Sequence, residues 1–337
     1  MASLIDEKGA ASDVSGFFDT GSYMLNALIS ADIFGGLPRN KMLTLASDPG
    51  VGKSFIAISI LKQFLDNHKD GYVIYYDTES AITSNMLIDR DVDVSRVLYA
   101  PVGSVEQFRH ESAKFLDSYN AEEGEKPPFI MVLDSIGNLS TEKEYEDAIG
   151  GKNSTDLTKA RLMKTALRAI TYALMKANAP LIATNHIYSE IGQMYPKKVM
   201  TGGTAATYTS SSILYLSKRK EKDGGDQVGN IITARAEKSR FTIENSKAEL
   251  YLHFKKGLNR YYGLLPFAEK AGIFKKVGHR YEVQDGRKLY EKQLYETPKE
   301  FFTQEVLEKI NNEIQKTFSY GKIESDTVGM SEDVVED

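Results

Sequence analysis

The stretch ASDPGVGKSF at 46–55 has the residue types and spacing of a phosphate-binding loop. It follows the apolar run MLTLA at 42–46, and its Gly52-Lys53-Ser54 tripeptide opens a segment with helix composition. A strand, a glycine turn and a helix start gather backbone N–H groups around one point, where a phosphate can bind. In such a loop, Lys53 reaches the β- and γ-phosphates and the Ser54 hydroxyl holds Mg²⁺. The sequence therefore predicts a nucleotide site that also binds magnesium.

The loop departs from the usual G-x-x-x-x-G-K-[S/T] pattern at its first position, where Ser47 replaces glycine. A positive φ costs a non-glycine residue about 1 kcal/mol or more, so the prediction requires Ser47 to stay in the β region. The alternative is a chance GKS tripeptide in an ordinary loop, which the strand-before and helix-after context disfavours. The residues expected to line the nucleotide are Ser47, Asp48, Pro49, Gly50, Val51, Gly52, Lys53, Ser54 and Phe55.

Two acidic residues follow other strand-like runs and have the chemistry that nucleotide hydrolysis needs. FIMVLD ends in Asp134, which is placed to bind Mg²⁺ through water. YYDTES contains Glu79, a candidate general base for the water that attacks the γ-phosphate. Either acid could instead cap a helix or a turn. The phosphate loop favours the metal role for Asp134, whereas the two interpretations of Glu79 are nearly equal on these residues alone.

The strand-like run PLIAT at 180–184 is followed by Asn185 and His186. A polar pair at the nucleotide edge of a strand can sense the γ-phosphate and pass that information to the segment that follows. This segment, 188–207, is long and polar, and such loops are usually functional or disordered. With a second polar loop at 140–156, it offers candidate contacts to a single-stranded nucleic acid, although either loop alone is more often just solvated. These candidates are Lys152, Lys197, Lys198, Gly202 and Gly203.

The helix-like segment 157–176 carries a stripe of cations. Arg161, Lys164 and Arg168 fall at i, i+3 and i+7, apart from an apolar stripe that begins at Met163. A solvated helix face is the usual meaning of such a stripe. Because two polar loops are expected at the same edge, we predict that these cations contact nucleic-acid phosphates.

Composition excludes several classes of protein. The 337 residues include no cysteine, which excludes disulfides and thiolate chemistry, and no apolar run near 18 residues. The N-terminal residues lack the pattern of a signal peptide, so a cytoplasmic protein without a membrane partner is expected. The net charge is -5, and 321–337 alone carry -5, so the other 320 residues sum to zero. We interpret 321–337 as a solvated tail; competition with a polyanion for a basic surface is the functional alternative.

Strands separated by helices predict an α/β fold with a mostly parallel twisted sheet flanked by helices. The strand-like runs between 211 and 254 follow one another without helices and predict an antiparallel extension. Two amphipathic helices, near 264–271 and 298–317, are expected to flank a charged hairpin-like region. The predicted parts are a flexible segment at 1–16, a nucleotide-binding core at 17–262, a small α+β domain at 263–320 and an acidic disordered tail at 321–337.

The order and spacing of these motifs resemble the RecA-like strand-exchange recombinases. The resemblance rests on ALISADIFGGLPRNKMLTLASDPGVGKS, YYDTESAI, FIMVLDSIGNL, TKARLMKTALRAI, IATNH and VMTGGTAA, and it covers 17–265. FFD, IGNLS and EKSR are most similar to the UvsX recombinases of T4-like bacteriophages. The resemblance implies a RecA-type P-loop NTPase core that forms helical filaments on single-stranded DNA, with ATP and Mg²⁺ between subunits. It further implies DNA-dependent ATP hydrolysis, pairing with homologous duplex DNA, and mediator and single-strand-binding proteins as partners.

The resemblance also implies roles for single residues. Glu79 matches the catalytic base, Asp134 the Walker B acid and His186 the γ-phosphate sensor. Lys238 and Arg240, in AEKSRF, match a cation pair that reaches the ATP of the neighbouring subunit, as an arginine finger does.

On the DNA side, 140–156 and 189–207 match the two DNA-binding loops, and Arg161 and Arg168 match DNA-contacting arginines. Met86 departs from the pattern, because many relatives have there a tyrosine that stacks on adenine. Base recognition is therefore expected to be weaker or less selective.

Two other functions are compatible with a nucleotide site of this kind. A ring-forming RecA-type motor, either a replicative helicase or a RadA-like protein, would share the phosphate loop, but the sequence has no separate helicase domain or zinc motif. A non-catalytic mediator would bind ATP only for assembly. The joint presence of Glu79 and Asp134 argues against that mediator.

Overall fold

The structure, a computed structural model, describes residues 13–151, 158–189 and 198–321. The strands are β1 Phe17–Phe18, β2 Leu37–Pro38, β3 Met42–Ser47, β4 Tyr72–Asp77, β5 Val97–Pro101, β6 Phe129–Asp134, β7 Leu181–Ser189, β8 Lys198–Met200, β9 Ser212–Asp223, β10 Asp226–Ser239, β11 Lys247–His253, β12 Gly257–Leu258, β13 Lys275–Val277, β14 Arg280–Glu282 and β15 Lys288–Leu289. The α-helices are α1 Tyr23–Ser30, α2 Lys53–Asn67, α3 Ser84–Ile88, α4 Val105–Ala121, α5 Glu142–Ile149, α6 Lys159–Ala177, α7 Ala205–Thr209, α8 Leu265–Lys270, α9 Glu291–Glu296, α10 Pro298–Phe301 and α11 Gln304–Phe318.

One ten-stranded sheet organises these elements, in the order β12-β11-β10-β9-β3-β7-β6-β4-β5, with β8 paired to β7. The strands from β9 to β5 are parallel, whereas β9 to β12 are joined antiparallel. The prediction of an α/β fold with a mostly parallel sheet and an antiparallel extension is therefore confirmed.

The parallel register brings the polar strand ends together. Ser47 at the end of β3 lies opposite His186 on β7, and Asp77 at the end of β4 lies opposite Asp134 on β6. Because the carboxyl ends of parallel strands share one edge, this edge is where such sheets bind ligands.

Side-chain alternation along the strands divides the core between the two faces of the sheet. Leu43 and Tyr75 pack on one face with α1 and α2, whereas Met42 and Tyr76 pack on the other with α4 and α6. Buried residues of 264–318 belong to the first of these cores. A shared core does not test where one domain ends and the next begins. The domain boundary near 263 therefore stays a prediction.

Several elements differ from the sequence-based predictions. The predicted helix at 298–317 is two helices, because Thr303 caps the start of α11 by accepting the N–H of Val306. β5 and α4 had not been predicted. The predicted loop at 140–156 contains α5, and the predicted loop at 188–207 contains β8 and α7.

The remaining parts of these predictions lie outside the described residues. They are 1–12 of the N-terminal segment, 152–157 and 190–197 of the two loops, and 322–337 of the acidic tail. In the part of the chain that the structure describes, no helix has the length and apolar character needed to span a bilayer.

Candidate nucleotide site and nucleic-acid surface

The phosphate loop joins β3 to α2 and has the backbone that its glycines permit. Gly50 and Gly52 have φ values of 71° and 122°, both in the region that favours glycine. A Cβ atom on Gly52 would lie 3.2 Å from Leu252 Cδ2, so the loop also runs close to β11. Ser47 is the buried last residue of β3 and does not have a positive φ. The serine therefore occupies the first loop position without backbone strain.

Lys53, the first residue of α2, points back across this loop and is only 7 % exposed. Its ammonium lies 3.4 Å from the Ser47 carbonyl oxygen and 3.3 Å from Ser47 Oγ. Burial lowers the pKa of Lys53, and the nearby Glu79, Asp134 and Asp48 carboxylates only partly oppose that effect. The Lys53 ammonium therefore makes only long hydrogen bonds among the described residues, and it lies beside the space that a phosphate would fill.

His186 connects Lys53 to Glu79. Its Nδ1 atom lies 3.4 Å from the Lys53 ammonium, and its Nε2 atom lies 3.0 Å from Glu79 Oε1. Since an ammonium only donates, Nδ1 accepts, and the ring proton on Nε2 is donated to Glu79. The side chain expected to sense the γ-phosphate therefore touches both the phosphate-binding lysine and the candidate base.

Glu79 accepts a second hydrogen bond, from Ser135 Oγ at 2.7 Å. Burial would raise the pKa of Glu79, but the hydrogen bonds from Ser135 and His186 and the charge of Lys53 outweigh it and lower the pKa. The loop that carries Glu79 is fixed by Asp77, whose carboxylate accepts the Glu79 N–H at 2.9 Å. Asp77 therefore caps this turn and positions the candidate base, whereas the Glu79 carboxylate accepts from the side chains of Ser135 and His186.

Asp134 ends β6 and is almost buried. It accepts hydrogen bonds from Tyr75, with the phenol oxygen 2.7 Å from Asp134 Oδ2, and from Thr184. Burial, followed by the Asp134 charge, raises the pKa of Tyr75 well above its usual range, so this phenol stays a donor. The Asp134 carboxylate is thereby held in place at the wall of the cavity that Ser54 also lines.

Ser54 and Asp134 supply oxygen donors of the kind that Mg²⁺ prefers. Among 13–151, 158–189 and 198–321, no group of three His, Asp or Glu side chains is arranged to hold a metal ion. The two residues therefore fit an ion that takes its other ligands from water and nucleotide phosphates.

A cavity of about 620 Å³ extends from the phosphate loop. Met86 lines this cavity, as expected for a residue near the nucleotide base, although its side chain offers no aromatic surface. Part of the wall had not been predicted, because it comes from the antiparallel strands and carries no local motif. These residues are Lys218, Gln227, Asn230, Leu252, His253 and Phe254, with Arg90 from the segment after α3.

The strand that carries His186 leads directly into the predicted DNA-binding segment. Thr201 donates its N–H to the His186 carbonyl oxygen at 2.9 Å and its hydroxyl to Asn185 Oδ1 at 2.6 Å. Gly202 and Gly203 follow with φ values of 77° and 78°. The far end of this segment is therefore hydrogen-bonded to β7, the strand that carries His186.

The predicted cations lie in different places. Arg161, Lys164 and Arg168 are all exposed on α6. Lys164 and Arg168 line a groove of about 730 Å³ together with Tyr208 and Arg240, and Arg161 does not.

Lys238 and Lys198 have partners within the chain. The Lys238 ammonium donates to the carbonyl oxygens of Thr207 at 2.7 Å and Ser210 at 2.8 Å, around the end of α7. Lys198 lies 3.6 Å from Asp48 of the phosphate loop. Lys152 and Lys197 lie outside the described residues.

A phosphate loop at the carboxyl edge of a mostly parallel sheet, with an acid at the end of β6, two strands away from β3, defines a P-loop nucleotide-binding protein. The family profile of the RecA N-terminal domain matches residues 3–259. The chain belongs to the RecA family.

Individual relatives agree with this family. The chain is 36% identical over 250 residues to the recombination and repair protein of Enterobacteria phage T4, covering 74% of the chain and 62% of that protein. It is 28% identical over 268 residues to the RecA protein of Ruminococcus albus, covering 79% of the chain and 64% of that protein. For the RecA protein of Thermus aquaticus the figures are 28% over 262 residues, 77% and 73%. The chain thus spans less than two thirds of the length of the first two relatives.

Proposed function

We propose that this protein is an ATP-dependent DNA recombinase. It forms helical filaments on single-stranded DNA, pairs that DNA with a homologous duplex and exchanges strands, in recombination, repair and recombination-dependent replication. Membership of the RecA family and the similarity to a phage recombination and repair protein support this function. We place this activity in the cytoplasm, which is the host cytoplasm if a phage encodes the protein.

The single observation that carries the proposal is the contact of His186 with Lys53, Glu79 and Thr201. Its ring touches the first two, and its carbonyl oxygen binds the Thr201 N–H at 2.9 Å. A phosphate that draws Lys53 forward removes one partner of the ring, and the strand then transmits the change toward 190–200. Nucleotide state and DNA affinity are thereby coupled through one strand.

The residues of the site divide the chemistry among them. Lys53 and the loop N–H groups bind the phosphates, Ser54 and Asp134 hold the magnesium ion, and Glu79 accepts a proton from the attacking water. Bound Mg²⁺ supplies charge neutralisation at the phosphates. Lys238 and Arg240 serve the ATP of the neighbouring subunit, so that hydrolysis requires the assembled filament.

DNA is contacted by the α6 cations and by the two segments next to them. The candidates are Arg161, Lys164, Arg168, Lys152, Lys197, Lys198, Gly202 and Gly203. Mediator and single-strand-binding proteins complete the set of proposed partners, because a filament must displace other proteins from single strands.

ATP hydrolysis measured with and without single-stranded DNA, together with negative-stain imaging, tests the function. We expect DNA-stimulated hydrolysis and open helical filaments. Closed six-membered rings would instead indicate a ring-forming motor, and ATP-dependent assembly without hydrolysis would indicate a non-catalytic mediator.

Mixing two inactive variants tests the shared site. Lys53→Ala removes phosphate binding, and Lys238→Ala removes the cation given to the neighbour. In a random 1:1 mixture, about one quarter of interfaces pair an intact Lys53 with an intact neighbouring Lys238, because the two residues act from different subunits. Recovery of hydrolysis to about that fraction is expected. A mixture as inactive as its components would contradict a role for Lys238 in trans.

A further inference from the structure

Arg90, in the segment after α3, lines the cavity that extends from the phosphate loop, and its guanidinium lies over a neighbouring ring. The central carbon of the guanidinium is 4.1 Å from the centroid of Phe55, the residue directly after Ser54. Both side chains are partly buried, and both line the 620 Å³ cavity. The Phe55 ring therefore covers one face of the guanidinium beside the start of α2.

The donors of Arg90 are largely uncommitted. Its one hydrogen bond within the part of the chain that the structure describes runs from Nη1 to the Met86 carbonyl oxygen, at 3.2 Å. Within those same residues, Arg90 forms no ion pair, and the adjacent Asp91 carboxylate lies 3.2 Å from the Lys62 ammonium. A guanidinium has five N–H donors, so four remain for another group.

The same geometry offers a stacking surface beside Met86, the cavity residue that was expected to lie near the nucleotide base. A methionine has no π surface, but the planar guanidinium held against Phe55 presents one. Met86 contributes its backbone carbonyl to holding that plane, at the 3.2 Å contact with Arg90. The Arg90 guanidinium is thus held by the Phe55 ring and the Met86 carbonyl oxygen.

We propose that Arg90 determines base specificity by stacking the open face of its guanidinium on the base of a nucleoside triphosphate. The proposal rests on the proposed function, since it requires a nucleotide in this site. Stacking does not contact the exocyclic groups that distinguish adenine from guanine. A two-ring purine offers a larger stacking surface than a one-ring pyrimidine. The site therefore selects purines over pyrimidines and discriminates little between the two purines.

Equilibrium binding of ATP, GTP, CTP and inorganic tripolyphosphate to the full chain tests this assignment. In the wild-type protein we expect ATP and GTP to bind with similar affinity and CTP about tenfold more weakly. Arg90→Ala should weaken ATP and GTP about tenfold, removing the purine preference, and change tripolyphosphate affinity less than twofold. Arg90→Lys keeps the charge but loses the plane, so it should lose the same preference. Arg109→Ala, at an exposed arginine on α4, is the matched control.

The possible results separate this inference from the proposed function. A wild-type protein that binds neither ATP nor tripolyphosphate would overturn both. Normal wild-type binding with an unchanged purine preference in Arg90→Ala, or a full preference in Arg90→Lys, would overturn only the role of Arg90. An equal loss of tripolyphosphate and ATP affinity in Arg90→Ala would also overturn it, because a base contact cannot affect a ligand without a base. Thermal unfolding of each variant shows whether the fold is kept.

Discussion

The Nε2 atom of His186 lies 3.0 Å from Glu79 Oε1. This contact joins a strand that leads to the predicted DNA-binding segment with the carboxylate that faces the nucleotide cavity. Ser135 also donates to the same oxygen at 2.7 Å, so both hydrogen bonds fall on Oε1, and Oε2 is the carboxylate oxygen that can accept from an attacking water.

Replacement of Glu79 should separate binding from turnover. Glu79→Ala removes the proton acceptor, so we expect hydrolysis to fall by about 10² to 10⁴, while ATP-dependent DNA binding is retained. Steady-state hydrolysis and fluorescence anisotropy with labelled single-stranded DNA measure the two quantities. Glu308→Gln, at an exposed site on α11, is the control. Hydrolysis within a few-fold of wild type would exclude Glu79 as the base.

Removal of the Ser135 hydroxyl should change the pH dependence of hydrolysis. The hydrogen bonds from Ser135 and His186 lower the pKa of Glu79 against the opposing effect of burial. In Ser135→Ala the pKa should rise toward its usual value, so the acidic limb of the pH–rate profile moves to higher pH.

The free energy of unfolding should also depend on pH through the lowered pKa of Glu79. A carboxyl whose pKa is lowered on folding contributes stability above its unfolded pKa, and that contribution is lost as pH falls through the folded value. Ser135→Ala should therefore lose part of this acid-dependent contribution. An acidic limb at the wild-type position would show that Ser135 does not tune Glu79.

The sequence was sufficient to locate the parts of the site that lie in contiguous motifs. The phosphate loop, Asp134, Glu79 and His186 each follow a strand-like run, and a parallel sheet necessarily brings such strand ends to one edge. α5 could also have been found, because Thr141 and Glu144 form a capping box that is visible in the sequence.

Other features depended on tertiary structure. The stacking of Arg90 on Phe55 joins residues 35 positions apart, and Arg90 belongs to no motif. Phe254 reaches the cavity only because β9 to β12 fold back beside the phosphate loop. Local patterns carry no record of such pairings.

The first position of the phosphate loop should tolerate glycine. Because Ser47 ends a strand without positive φ, Ser47→Gly should leave ATP affinity within about threefold and cost about 0.5–1 kcal/mol of stability. Gly52→Ala should behave oppositely, since a φ of 122° disfavours alanine and the added Cβ would lie 3.2 Å from Leu252. We expect more than tenfold weaker ATP binding by isothermal titration calorimetry. Equal affinities of the two variants would show that the backbone of this loop is not what binds phosphate.

Lys53→Met should abolish nucleotide binding and raise the stability of the nucleotide-free protein. The lysine ammonium is almost buried, and among the described residues its hydrogen-bond partners are Ser47 and His186, neither of which is an anion. Methionine has a similar length without the charge, so the nucleotide-free variant should unfold about 2 °C higher than wild type near neutral pH. The rise in unfolding temperature that ATP and Mg²⁺ give the wild-type protein should be absent.

The stability difference between Lys53→Met and wild type should depend on pH, and that dependence tests the explanation. Burial lowers the folded-state pKa of Lys53, so the unfolded chain binds more protons between the folded and unfolded values. Wild-type stability therefore gains from this group as pH rises through that window, and the advantage of Lys53→Met should shrink toward pH ~10. Lys114→Met, at an exposed lysine on α4, should show neither effect. A Lys53→Met protein that is less stable than wild type at neutral pH, or that ATP still stabilises, would show that Lys53 is a structural cation and not the phosphate ligand.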